Sequence, residues 1–256
     1  MGSSKSTPST DRQAKIRAAS TNAGGGANRI VVGAVVLVVA IIAVVGGVIW
    51  SQRSADDAPT GGTALPKGVA AMGEGYRAFA DVTARPGAPT VDVYEDFQCP
   101  ACKQFEELTG ATVTGLAKEG RIVLVYHVKN FLDDNLRNDS STRAGNAAFC
   151  AADAGRFQEF HDQVFPGQPA TEGAGFTDAQ LSGFAQAAGI TGDALATWQD
   201  CVEGGRYDAY VDSVEKQSFA DGVRGTPTVR IDGKDQELGA IASPEGFTAA
   251  VEAATP

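Results

Sequence analysis

Residues 90–95, Thr90-Val91-Asp92-Val93-Tyr94-Glu95, are rich in β-branched and aromatic side chains and alternate apolar with polar positions, which predicts a strand. A helical pattern follows over 101–118, and a second strand is predicted over 121–128. The polar stretch Asp133-Asp134-Asn135 reads as a loop. Five helical segments then come in succession, at 141–154, 157–165, 177–188, 193–203 and 206–221. Thr177 and Gln180 have the spacing of a capping box, in which each side chain serves the other's backbone N–H. The chain closes with a strand over 228–231, an Asp232-Gly233 turn, a short strand near 236–238 and a helix from Ser243. Asp-Gly between two apolar stretches is a strong hairpin signal.

A different pattern occupies residues 30–50: 21 positions without a charge or a proline. At about 1.5 Å per residue this run reaches roughly 30 Å, the thickness of a bilayer's hydrocarbon core. The apolar part of a cleaved signal is shorter, about 7–15 residues, and ends at small residues. Here Trp50-Ser51-Gln52-Arg53 follows, so an uncleaved anchor is expected, with a cleaved signal or a buried core helix as the alternatives. Residues 1–29 hold Lys5, Arg12, Lys15, Arg17 and Arg29 against Asp11, a net +4, so the remainder carries −14 to give the chain's −10. Basic flanks stay on the cytoplasmic side. A single-pass protein in the cell membrane is expected, its N-terminus cytoplasmic and its C-terminal domain extracytoplasmic.

The expected organisation is therefore a disordered basic tail at 1–29, the anchor at 30–50 and a flexible linker at 51–68. One folded domain follows at 69–256, with a helical insertion at about 135–221. The acidity of the domain argues against nucleic acid as a partner. Gly24-Gly25-Gly26 belongs to the tail rather than to a phosphate loop, and no Ser/His/Asp spacing or dinucleotide fingerprint stands out.

The chemistry lies in Cys99-Pro100-Ala101-Cys102, placed between a predicted strand and a predicted helix, the context a redox motif needs. A cysteine at a helix N-terminus faces unpaired N–H donors and partial positive charge, which stabilise its thiolate. Cys99 is expected to be the exposed nucleophile and Cys102, one turn in, the shielded resolving thiol. Four cysteines allow three pairings. If Cys99 and Cys102 pair locally, Cys150 and Cys201 remain and would close a loop of about fifty residues. A structural disulfide is expected there, with two free buried thiols as the alternative. A zinc site of four cysteines is disfavoured because structural zinc uses two close pairs and only one exists. No metal and no cofactor are expected.

Strand, redox helix, strand, several helices, strand, hairpin strand and helix is an α/β order that looks like a thioredoxin fold with an inserted all-helical subdomain. The chain resembles the DsbA-like thiol–disulfide oxidoreductases over about residues 85–255. The resemblance rests on Asp96-Phe97-Gln98-Cys99-Pro100-Ala101-Cys102, on Gly222-Val223-Arg224-Gly225-Thr226-Pro227-Thr228 and on Asp232-Gly233-Lys234. Gly155-Arg156-Phe157, Phe160-His161-Asp162 and Phe165 resemble the insertion, and the anchor and second cysteine pair look most like actinobacterial members.

The resemblance implies a membrane-tethered enzyme that introduces disulfides into reduced exported proteins and is recharged by an integral-membrane DsbB-like or vitamin K epoxide reductase (VKOR)-like oxidase. A reductase or isomerase of the same fold is the runner-up, and a non-redox chaperone or binding module is the alternative from another class. It also implies a cis Thr226–Pro227 bond whose loop faces the cysteines and pairs with substrate; an ordinary trans proline at a strand edge is the alternative. Two departures matter. Ala101 stands where the most oxidising relatives carry a histidine. Val93 stands where many carry a buried acid, leaving Asp92, Glu95 and Asp96 as possible proton shuttles. Alternation puts Glu95 on the face of Val93 and makes it the better candidate, with a solvated loop acid as the other reading of each. His127 and His161 read as packed core histidines.

Overall fold

The computed structural model describes residues 64–255. The expected tail, the anchor and most of the linker lie outside the described residues. Ala64 and Leu65, inside the expected linker, pack partly buried against the core. Among the described residues no helix is long and apolar enough to cross a membrane.

Five strands form one sheet: β1 (Tyr76–Arg77), β2 (Thr90–Glu95), β3 (Val123–Val128), β4 (Thr228–Ile231) and β5 (Lys234–Asp235). Their spatial order is β1-β3-β2-β4-β5. β2 runs parallel to β3, which a crossover through helices makes possible, and antiparallel to β4. Val93 lies opposite Tyr126 on one side and Val229 on the other, all fully buried, so the centre of the sheet is the centre of the core. β5 follows a two-residue Asp232-Gly233 turn, earlier than the strand expected at 236–238.

The crossover is α1 (Pro100–Phe105), a π segment (Glu106–Gly110) and α2 (Ala111–Lys118), where an unbroken helix was expected. Gly110 permits the wide turn: a Cβ there would lie 2.3 Å from Glu106 Oε2. Six helices lie between β3 and β4. They are α3 (Phe131–Leu136), α4 (Ser140–Asp153), α5 (Phe157–Val164), α6 (Asp178–Ala187), α7 (Asp193–Glu203) and α8 (Asp208–Ala220). α3 occupies the stretch expected to be a loop. Its Asp133 is buried because it accepts hydrogen bonds from the backbone N–H groups of Ser141 and Thr142, tying α3 to the start of α4. The capping box forms at Thr177 and Gln180, and α9 (Pro244–Ala254) is capped by Ser243. A disulfide joins Cys150 in α4 to Cys201 in α7, with Cα atoms 5.9 Å apart.

Candidate active site

Cys99 is the N-cap of α1, with φ −76° and ψ 118°, and Pro100 takes the first helical position, where no backbone donor is needed. The Cys99 N–H donates to the Asp96 carbonyl at 2.9 Å, so a tight turn at the end of β2 aims the thiol off the sheet. The Thr226–Pro227 bond is cis, and its loop closes over this turn. Cys99 Sγ lies 3.4 Å from the Thr226 carbonyl, to which the neutral thiol donates. Gln168, from the segment after α5, donates to the carbonyls of Phe97 at 2.8 Å and Cys99 at 3.1 Å. Under this cover Cys99 keeps only 7% exposure, less open than expected, while Cys102 has none. Both thiols are free.

The two sulfurs differ electrostatically. A hydrogen bond from the Cys102 side chain, helped by the Thr226 side chain and the N–H groups of Cys102 and Ala101, brings Cys99 down to about 6 against the cost of burial. The Thr226 hydroxyl has no partner while Cys99 is a neutral thiol, so it is free for the thiolate. Burial, the Cys99 thiolate and the charge of Glu95 all push Cys102 well above the ordinary thiol range. Cys99 can therefore attack and leave as a thiolate, whereas Cys102 must pick up or lose a proton when its bond to sulfur changes.

The three carboxylates considered as proton shuttles have separate surroundings. Asp92 pairs with His127 at 2.9 Å. Asp96 is fully buried and accepts from the Ser141 hydroxyl at 2.6 Å and the N–H groups of Gln98 and Leu132; burial still pushes it up to about 7. Glu95 is 1% exposed, not a solvated loop acid, and its Oε1 lies 2.8 Å from His161 Nε2. His161 is fully buried, as a core histidine is, but it is also part of the charge system behind Cys102. Burial pulls the imidazole down, yet Glu95, Asp162 and Glu106 outweigh it and hold it well above its ordinary value. Glu106, raised by burial, completes the group.

Sequence reasoning missed Glu106, Gln168 and the role of His161. Glu106 looks like any polar helical residue until the π segment turns it inward. The partners of Glu95 and Asp96 lie 66 and 45 residues away on the insertion, a distance no local pattern crosses.

A family model described as Thioredoxin matches residues 85–253. Oxidised DsbA of Mycobacterium tuberculosis is 30% identical, with 71% of this chain and 93% of that chain covered at a TM-score of 0.58. Reduced disulfide bond oxidoreductase DsbG of the same organism is 31% identical, with 74% and 92% covered at a TM-score of 0.59. Serine/threonine-protein kinase PknE of M. tuberculosis is 29% identical over 123 residues, 45% of this chain; the match spans only 21% of that kinase.

Proposed function

The chain belongs to the thioredoxin family, in its DsbA-like group of thiol–disulfide oxidoreductases, and we propose that it oxidises thiol pairs of exported proteins by exchange at Cys99 and Cys102. In the oxidised enzyme a substrate thiolate attacks Cys99 Sγ and the Cys99–Cys102 bond breaks. Cys102, whose thiolate is disfavoured, takes up a proton as it leaves, and Glu95 is the nearby carboxyl proposed to carry it. The substrate's second thiolate then attacks its own mixed-disulfide sulfur and expels Cys99. Two electrons have passed from the substrate dithiol to the enzyme; one proton rests on Cys102, and the other goes to solvent because Cys99 departs as the thiolate. The stable Cys99 thiolate is the better leaving group in this last step, which favours oxidation of the substrate.

The observation that carries this reading is the placement of Cys99 at a helix N-terminus facing the Thr226–Pro227 loop, with its thiol brought down to about 6. The cis loop, with the Thr226 carbonyl beside Cys99, supports its role in aligning a substrate strand. The Cys150–Cys201 disulfide supports an oxidising compartment. We place the site outside the cytoplasm, tethered by residues 30–50 in the bilayer and recharged by a DsbB-like or VKOR-like membrane oxidase.

The test mixes the oxidised protein with a reduced, unfolded protein that has cysteines and follows disulfide formation. Wild type should oxidise it, whereas Cys99→Ser and Cys102→Ser, neither of which can hold the Cys99–Cys102 disulfide that accepts the electrons, should not. The reduction potential should lie above the roughly −270 mV of thioredoxin. A value at or below that one overturns the oxidase direction and favours the reductase reading, to which Ala101, with no polar group for the thiolate, lends support. A membrane-impermeant thiol reagent should label reduced Cys99 in intact cells; labelling only after lysis overturns the topology.

A further inference from the structure

Behind Cys102, three segments distant in sequence bring Glu95, Glu106 and His161 together. Glu95 ends β2, Glu106 comes from the π segment and His161 from α5. One carboxylate oxygen from each glutamate and one imidazole nitrogen all lie within 4.8 Å of one another. Glu95 and His161 are fully buried, and Gly110 lets the Glu106 carboxylate fold inward where a Cβ would block it.

The hydrogen bonding of this cluster is incomplete. Of the eight buried side-chain polar atoms without a hydrogen-bond partner among the described residues, four are here: Glu95 Oε2, Glu106 Oε1, Gln158 Oε1 and the Tyr126 hydroxyl. Tyr126 is not one of the charged residues and is fully buried, its ring 4.6 Å from that of His161. Its hydroxyl lies in the field of both Glu106 and Glu95. Gln158 reaches the same place, its Nε2 lying 3.4 Å from His161 Nδ1. Three of the four orphaned atoms are carboxylate or amide oxygens, acceptors when the glutamates are ionised; the Tyr126 hydroxyl can donate to only one of them, and His161 is the one side-chain cation beside them. Unpaired buried acceptors of this kind call for a bound water or ion. A cavity of about 270 Å³, lined by Glu106, His161, Asp162 and Phe165 and reaching the exposed Glu107, gives access to Glu106 and His161.

We propose that Glu95, Glu106 and His161 form a divalent-cation site that takes Zn²⁺, with water from the cavity as the fourth ligand. Two carboxylate oxygens and one imidazole nitrogen are a donor set zinc accepts, at about 2.0–2.2 Å each. Tetrahedral ligand atoms at that distance stand roughly 3.3 Å apart, so the Glu95–His161 pair, now 2.8 Å apart, has to open by about half an ångström. Calcium and magnesium prefer all-oxygen shells and fit the imidazole poorly. This departs from the expectation of no metal drawn from the cysteines alone. It also has a consequence at the redox pair: a cation here cancels the negative field that Glu95 places on Cys102.

The test uses the full chain in its oxidised form, so that Cys99 and Cys102 offer no thiolate to metal. Titration calorimetry with Zn²⁺ should show one equivalent bound. Co²⁺ should give the visible bands of a tetrahedral site without thiolate charge-transfer absorption. Glu106→Gln and His161→Gln should each weaken Zn²⁺ binding on the order of 100-fold, while Glu107→Gln leaves it unchanged. No uptake by the oxidised wild type overturns the proposal, as does uptake that both ligand variants leave intact. If neither ligand variant folds, the cobalt spectrum of the wild type decides alone: a tetrahedral spectrum supports the site, and an octahedral or absent one refutes it.

Discussion

Raising the pH should stabilise the reduced domain relative to the oxidised one, because only the reduced form has a Cys99 thiolate. The folded Cys99 titrates at about 6, and an unfolded cysteine at about 8.5. A group whose pKa is depressed by folding contributes stability that is fully present above 8.5, partial between the two values and lost below about 6. From those two values the contribution is near zero at pH 5 and about 2.5 kcal/mol at pH 8. The Cys99 sulfur is not wholly withdrawn from water, and screening reduces the rise to about 1.5 kcal/mol. For a domain of this size that is roughly 3–6 °C of melting temperature. Asp96, Glu106 and His161 titrate in both redox states and largely cancel in the difference. Cys102, held well above the ordinary range, adds no thiolate in this window. Closing the short Cys99–Cys102 ring shifts the oxidised form by an amount that does not vary with pH, so the slope is the diagnostic quantity. Calorimetric melts of both forms from pH 5 to 8, with Cys150–Cys201 intact, measure it. Reduced Cys99→Ser should lose the slope. A reduced-minus-oxidised difference that stays flat, or narrows as pH rises, refutes the reasoning.

Thr226→Val removes the hydroxyl that favours the Cys99 thiolate and should raise the Cys99 pKa by about one unit; titration of thiolate absorbance near 240 nm checks this, and an unchanged midpoint excludes that role. Cys201→Ser opens a loop with a sequence separation of 51 and should cost about 4 kcal/mol in the chain-entropy model, read from denaturant midpoints. Gly145→Ala, in α4, places a methyl 2.9 Å from Val211 Cγ2 and 3.4 Å from Val128 Cγ1, and should destabilise the domain by roughly 1–3 kcal/mol. A melting temperature equal to wild type would show that α4 and α8 have room to part.

What could be read from the sequence was what repeats or what is local. β2 announces itself through the alternation of Val91 and Val93, and the redox turn through two cysteines three apart. Thr177 and Gln180 gave a cap because both halves of the interaction lie within one helical turn. Alternation also put Glu95 with Val93, and both are buried. It said nothing about Tyr94, which is buried too because its ring stacks on His127 of β3 and lies beneath Arg230 of β4. β1 has two residues and no period to detect. α3 was hidden by Asp133 and Asp134, polar residues of which the first is satisfied by partners outside α3, the Gln98 side chain and the start of α4. The group behind Cys102 was illegible for a related reason. Its geometry depends on one widened turn at Gly110 and on a helix far along the chain, and neither leaves a mark near Glu95.

The central position of β2 also sets the order in which the molecule can be assembled. A chain made from its N-terminus delivers β2, α1, α2 and β3 early, but β4, the second neighbour of β2, follows only after the whole helical insertion. During that interval one edge of β2 is unpaired, the kind of exposed edge that invites wrong partners in slow, long-range assemblies. α8 can settle on β3, and Glu95, Asp96 and Gln98 can find their partners on the insertion, before β4 arrives. Thr226 arrives with β4, so the loop that tunes Cys99 is among the last parts in place. A nascent chain thus carries both redox cysteines, and later Cys150 and Cys201, before the environment that makes Cys99 reactive is complete. Full reactivity waits on β4, and the half-made protein is the less able to cross-link itself.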